Sequence, residues 1–186
     1  MSFPELQSIR LKLRSLEDKD LTALYALRSN EQVNRYLDRP PARSVEDAQA
    51  FISKIRDGIS GNQSFYWAIT LKDQPGLIGA ICIFNLSVDK KTAELGYELH
   101  PDKQGKGYMQ EAITLVIRFA FDRIGLSLLE AYSHKDNSAS TKLLLENGFE
   151  LETGKNDPAN KNNLIYFLRH KEWLRGSGVS LSPAPI

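Results

Sequence analysis

One cysteine, Cys82, is all that this chain of 186 residues contains. That excludes an internal disulfide and any cysteine-based metal cluster. An excess of charge is missing too: 24 Lys and Arg face 23 Asp and Glu, a formal net charge of +1. Such a balance supplies no global field to draw in nucleic acid. No apolar run approaches the roughly 20 residues of a membrane span, and no N-terminal signal pattern is visible. Neither His100 nor His134 has a Cys or His partner at metal-ligand spacing, so no metal is expected. No repeat and no second domain can be discerned. The expectation is a cytoplasmic protein that engages neither membrane nor nucleic acid. What is present is ordinary globular composition, 41% hydrophobic and 25% charged, in a length that suits one domain with a substantial core.

Ile9, Leu11 and Leu13 alternate with Arg10, Lys12 and Arg14, the period of a half-buried strand. Glu17, Asp18 and Asp20 then place acids at the start of a helix carrying Leu21, Leu24, Tyr25 and Leu27. A short helix is expected over residues 30–37, ended by Arg39-Pro40-Pro41. Ser44, with Asp47 three positions on, caps a third helix through Ala48, Phe51, Ile52 and Ile55. Strands are expected at residues 65–71, 77–86 and 92–99, the first two joined by a hairpin. Cys82 lies in the apolar run 79–84 and reads as small core filler. A helix over 109–123 is apolar around most of its circumference, with Thr114, Arg118 and Asp122, spaced by four, as its polar stripe, so it must be buried against a sheet. A strand at 128–133, a helix between Asn137 and Asn147-Gly148, and strands at 149–153 and 164–173 complete the pattern. Residues 1–175 thus form the domain, and the Gly/Ser/Pro-rich stretch 176–186 is expected to be disordered. The fold class is α/β: one domain with a mixed, mostly antiparallel twisted sheet of about six to seven strands flanked by helices. Only the segments around the two later helices need be parallel crossovers.

The stretch from Leu95 to Met109 organises the rest. It reads as a strand, a glycine-bearing loop and the start of the long helix, with Lys106 between Gly105 and Gly107. Backbone N–H groups in such a loop converge on an anion at a helix N-terminus, where the macrodipole also favours negative charge. From the glycines alone two readings stay open. One is a phosphate-bearing ligand; the other is a tight turn that needs two flexible residues.

Gln104-Gly-Lys-Gly107 ahead of a buried helix, then Asn137-Ser-Ala-Ser140 and Asn147-Gly-Phe149, resembles the GNAT superfamily of acyl-CoA-dependent N-acetyltransferases. The match is to its Gln/Arg-x-x-Gly-x-Gly/Ala pyrophosphate signature and its downstream Asn-x-x-Ser element. The run 93–101 and the late Lys171-Glu-Trp173 look more narrowly like the branch that acetylates N-termini of ribosomal proteins, the RimJ/RimL-like enzymes. The resemblance covers residues 9–174. One departure stands in the signature, where Met109 occupies a position usually held by Gly or Ala.

The resemblance implies acetyl-CoA as acyl donor. Its pyrophosphate would sit on the amides of Gln104, Gly105, Lys106, Gly107, Tyr108 and Met109, and strands splayed past Leu99 would pair with its pantetheine arm. An acceptor amine would attack the thioester directly. The Leu99 amide, just past a strand distortion, would meet the oxyanion, Ser140 would donate to the sulfur, and Asn137 would touch pantetheine besides capping its helix. A tyrosine acid seven positions after the motif asparagine is excluded, because that position is Leu144. Strand alternation puts Glu94, Gly96 and Glu98 on one face and Leu95, Tyr97 and Leu99 on the other. Glu94 matches the place where histone-type relatives keep a base, and Glu98 lies nearer the acetyl group. Each reads equally as a base or as a solvated or ion-paired strand glutamate. The acceptor is expected to be a protein N-terminal α-amine or a small amine, and the protein a monomer or homodimer. Acceptor pockets of this fold come from the early helices and the loop before the last strand, here residues 30–43 and 154–163. Arg28, Arg35, Arg39 and Arg43, in or just before the first of these, suit an acidic or carboxylate-bearing acceptor or are scattered surface arginines. A second functional reading, resting on Met109 and Leu144, is an acyl-CoA-binding sensor without turnover.

Overall fold

The structure, a computed structural model, describes residues 3–176. Its strands are β1 (Leu6–Gln7), β2 (Leu11–Ser15), β3 (Phe65–Leu71), β4 (Leu77–Phe84), β5 (Thr92–Leu99), β6 (Leu128–His134), β7 (Glu150–Leu151) and β8 (Asn163–Arg169). The α-helices are α1 (Leu21–Ser29), α2 (Glu31–Asn34), α3 (Val45–Ser60), α4 (Tyr108–Arg118), α5 (Ser138–Glu146) and α6 (His170–Gly176). All eight strands join one sheet in the order β1-β2-β3-β4-β5-β6-β8-β7. Every pairing among the described residues is antiparallel except β5 with β6, which the α4 crossover makes parallel. The sheet has one strand more than the sequence suggests. β1 is two residues long, too short to show a period.

Helices cover both faces. On one, α4 buries Ala112, Ile113, Val116 and Ile117 against Ile81, Ile83 and Leu95, and Leu144 of α5 joins the same core. On the other, Leu24 of α1 and Ile52 of α3 pack on Tyr66, Ala68 and Ala80. Strand alternation in β4 sends Ile81 and Ile83 one way and Ala80 and Cys82 the other, which is why its sequence is apolar almost throughout. Cys82 is half-buried, and its thiol is pushed up to about 12, first by burial and then by the nearby Glu98 charge. Thr114 and Arg118 of α4 and Asp122 of the turn of helix that continues it are all exposed, so this polar stripe faces solvent.

The strand expected at 77–86 ends at Phe84, that expected at 149–153 is only Glu150–Leu151, and four other boundaries move. Ile9 is 91% exposed while Leu11 and Leu13 are fully buried. Ser8 and Arg10 are instead held in a turn by the Glu111 carboxylate of α4, so the strand starts at Leu11. The short second helix stops at Asn34, and Leu37 onward crosses the sheet's end as an irregular strap. The long helix changes at Phe119 into a π-helical segment, Phe119–Ile124, which Gly125 ends at φ +81°. The last strand ends at Arg169, because α6 folds Trp173 back onto Phe121 with ring centres 5.6 Å apart. Gly176 closes α6, and the rest of the Gly/Ser/Pro-rich stretch lies outside the described residues.

Candidate active site

β5 and β6 pair only at Thr92↔Leu128, Ala93↔Leu129 and Glu94↔Glu130. Beyond these the strands run on, β5 to Leu99 and β6 to His134, without pairing to each other. A wedge-shaped gap therefore opens in the middle of the sheet. The His100 N–H donates to the Ile78 carbonyl at 2.9 Å, and the register sets Gly79 opposite Leu99. Antiparallel alternation then turns the even-numbered residues of β5 toward β4 and the N–H and C=O groups of Leu95, Tyr97 and Leu99 toward the gap. The Leu99 carbonyl is met by the Gln104 side chain at 3.0 Å, while its N–H points into the gap. The distortion expected before Leu99 is not there: β4 and β5 pair from Glu94 to Leu99 without a register shift. Ordinary strand alternation aims this amide.

The loop from Gln104 to Gly107 follows at the wide end of the gap, after a short 3-10 turn over Pro101–Lys103. Gly105 and Gly107 adopt φ of +70° and +76°, the left-handed region that other residues avoid. Gly107 is the N-cap of α4 and offers no side chain, so the first-turn amides of the helix lack a capping partner. Lys106 donates to the Asp102 carbonyl at 2.7 Å and so braces the loop. Tyr108 lies under the Arg10 guanidinium, 4.6 Å from its ring centre. Met109 is partly buried and packs against the main core.

On the same face as α4, the Tyr97 hydroxyl meets the Ser140 hydroxyl at 2.8 Å. This bond joins β5 to the first turn of α5 across the parted strands. Burial, opposed by that hydrogen bond, pushes the Tyr97 phenol up to about 12, so it stays protonated at neutral pH. Asn137 caps α5 by accepting from the Ser140 N–H at 3.2 Å. Ser133, on β6 past the point of parting, has a buried hydroxyl with no hydrogen-bond partner among the described residues. Alternation from Leu129 and Ala131 directs it to this same face.

The two glutamates go elsewhere. Glu98 points to the opposite face, where Arg39 donates to one oxygen, Tyr66 donates to the other at 3.2 Å, and Arg28 stands 3.9 Å from it. Both of its oxygens are engaged. Glu94 accepts from Asn85 at 2.9 Å and sits five residues before Leu99, about 16 Å along an extended strand. The structure thus brings Leu99, Gln104, the glycine loop, Asn137 and Ser140 to one gap and leaves Glu94 at its closed end. His100 and His134, each at the end of a strand, accept from a backbone N–H two residues on in the turn that follows.

Residues 10–150 match the family model of the acetyltransferase (GNAT) domain. The chain belongs to the GNAT acetyltransferase family. It is 35% identical over 150 residues to the uncharacterized N-acetyltransferase YoaA of Bacillus subtilis, covering 81% of this chain and 85% of that one. RimL, the ribosomal L7/L12 alpha-N-protein acetyltransferase solved with coenzyme A, superposes with a TM-score of 0.77 at 19% identity, over 89% of this chain and 98% of that one. The microcin C7 self-immunity acetyltransferase MccE, solved with acetyl-CoA and AMP, gives a TM-score of 0.76 at 23% identity, over 87% and 93%. At these identities both likenesses are of fold, and the fold includes that of the ribosomal-protein branch.

As a GNAT member the protein is an acyltransferase that draws on acetyl-CoA. The residues present fit that donor. An uncapped helix N-terminus behind two left-handed glycines suits a pyrophosphate. A parted strand edge suits the peptide-like pantetheine arm, and the orphaned Ser133 hydroxyl lacks only a polar partner. Two of these features escape sequence reading. Tyr97 shows there only as a residue on the Leu99 face, since its partner lies 43 positions away. Ser133 carries no local signal at all.

Proposed function

We propose that the protein transfers the acetyl group of acetyl-CoA to a primary amine held at the gap between β5 and β6, opposite the cofactor loop. The parting of these strands after Glu94, beside the bare N-terminus of α4, carries this reading. The amides from Gln104 to Met109 hold the pyrophosphate. The gap-facing groups of Leu95 and Tyr97, with Asn137 and Ser133, hold the pantetheine arm.

The acceptor nitrogen attacks the thioester carbonyl carbon, and the carbonyl electron pair moves to oxygen. The Leu99 N–H stabilises that oxyanion, a preorganised donor in a site sheltered from water. Collapse breaks the carbon–sulfur bond, the nitrogen loses a proton to water, and the thiolate takes one up. Ser140 assists the sulfur: Tyr97, held protonated, donates to the Ser140 oxygen and leaves the serine hydrogen for the thiolate. A thiol with a pKa of about 8.5 leaves readily, so a hydroxyl donor is enough. No carboxylate base takes part. A peptide α-amine titrates at about 8, so an adequate fraction of such an acceptor is neutral without one. Glu98 anchors two arginines, and Glu94 stands too far along the strand.

The acceptor class embraces protein N-termini and small amines. Incubation with acetyl-CoA and a panel of N-terminal peptides, amino acids and polyamines, following thiol release, tests the reading. Release well above the no-amine rate with at least one acceptor is expected. Background release across the whole panel would sink it.

A further inference from the structure

Among the described residues Glu98 is the only carboxylate paired with Arg28 and Arg39, so this cluster of three on the acceptor face carries one positive charge in excess. Its other members do not redress the balance. Burial, and then the charge of Glu98, hold the Tyr66 phenol well above its ordinary value, and the Cys82 thiol is pushed up to about 12, so both are neutral. Both guanidiniums are largely sequestered, with side chains 14% and 21% exposed. Nor are they saturated. The Arg39 Nη1 atom is buried without a hydrogen-bond partner, and Arg28 has no hydrogen-bonded acceptor among the described residues, only the Phe51 ring 3.6 Å beneath it. A buried cation lacking a counter-charge is costly, and two guanidinium forks with free donors match a carboxylate in geometry as well as charge.

The strap that carries Arg39 lies where an acceptor would enter. Tyr36 packs its ring, tilted by 30°, on His134 at the end of β6 with ring centres 5.4 Å apart. Asp38 accepts from Asn160 and Asn163, each at 2.6 Å. Arg39 reaches Glu98 at the end of β5. Residues 36–39 therefore bridge the wide end of the gap from one parted strand to the other. Asp38 is turned to the two asparagines, so the strap's charged group at Glu98, next to Leu99, is Arg39.

Resting on the transferase reading above, we infer that the acceptor is a small amine bearing a carboxylate close to its nitrogen, with Arg28 and Arg39 as the carboxylate subsite. A polyamine would set its second cation against these guanidiniums, and like charges brought together disfavour the partner that carries them. The carboxylate amine instead supplies the missing counter-charge and leaves its nitrogen beside the Leu99 amide. Arg28 and Arg39 act on specificity, and neither touches the reacting bond.

Matched acceptors test this. Thiol release is followed with glycine, β-alanine and γ-aminobutyrate, with the primary amide of each, and with spermidine. The expected result is a kcat/KM at least about tenfold higher for one or more acids than for its amide, the yield of one charge-assisted hydrogen bond, arising mainly in KM. Arg39→Gln should erase the acid-over-amide ratio, and Arg28→Lys should reduce it. The wild-type comparison needs no variant, so a misfolded variant cannot obscure the result. Equal turnover of acids and amides, or spermidine as the best acceptor, overturns the inference while leaving the transferase reading intact. Background release with every amine overturns both.

Discussion

Tyr97 and Ser140 meet at 2.8 Å across the parted strands, although 43 positions separate them in the chain. Their bond gives the proposed acid step its geometry. Removing the Ser140 hydroxyl by Ser140→Ala should lower kcat by more than it weakens acetyl-CoA binding, and unchanged kcat would end its role at the sulfur. Tyr97→Phe deletes one hydrogen bond and should lower kcat about three- to tenfold, within what such a bond is worth. Because the Tyr97 phenol is pushed up to about 12, the wild-type kcat profile should show no tyrosine ionisation below pH 10. A falling limb between pH 8 and 10 that Tyr97→Phe abolishes would contradict this. At this scale the sequence was only half legible. Ser140, Asn137 and Leu99 come through the family resemblance, but the Tyr97 partnership and the orphaned Ser133 hydroxyl depend on contacts that no local pattern encodes. Glu94 and Glu98 look alike in a strand of alternating residues. Only the tertiary fold shows that one lies at the closed end of the gap and the other is gripped by Arg39 and Tyr66.

The loop between β5 and α4 is the element on which donor binding rests. Gly107 sits at φ +76°, and a Cβ there would stand 3.2 Å from the Arg10 guanidinium. A left-handed conformation costs other residues about 1–2 kcal/mol, so Gly107→Val should shift the backbone and turn the first amides of α4 aside. We expect its Kd for acetyl-CoA to rise tenfold or more with the fold retained, read by calorimetric titration and circular dichroism. Unaltered affinity would remove the loop from the donor site. Long periodic elements such as α3 and α4 were legible because apolar spacing and caps are local: Ser44 and Asp47 do form a capping box. The ends were not. Ile9 follows the strand period yet lies in a turn fixed by Glu111, and residues 170–173 continue a strand pattern yet fold as helix so that Trp173 can reach Phe121.

At the scale of the whole molecule, an ion pair ties β2 to the 3-10 turn that leads into α1. Arg14 and Asp20 form a bidentate bridge, 2.7 Å at each contact, with side chains only 6% and 3% exposed. Burial, the largest influence, would raise the Asp20 carboxyl, but the bonds from Arg14 and the Glu17 N–H outweigh it and hold the carboxyl below its ordinary value. Removing one partner strands the other charge, so Asp20→Ala should cost about 3–5 kcal/mol, read by urea unfolding. A depressed carboxyl stabilises the fold at pH above its unfolded value, about 3.9, and that contribution is lost as pH falls through the folded value. Wild-type stability should therefore decline more steeply below pH 4 than that of Asp20→Asn, and parallel curves would contradict the assignment. The architecture was legible at this scale, as a mostly antiparallel sheet flanked by helices. The gap in its middle was not, because it consists of pairing that fails to occur. That gap is the centre of the account, and amide hydrogen exchange with and without coenzyme A tests it most directly. We predict slowed exchange at Leu95, Tyr97 and Leu99 and in the first turn of α4, with β2 and β3 unaffected. Binding without protection at these amides, or protection confined to another part of the sheet, would contradict it.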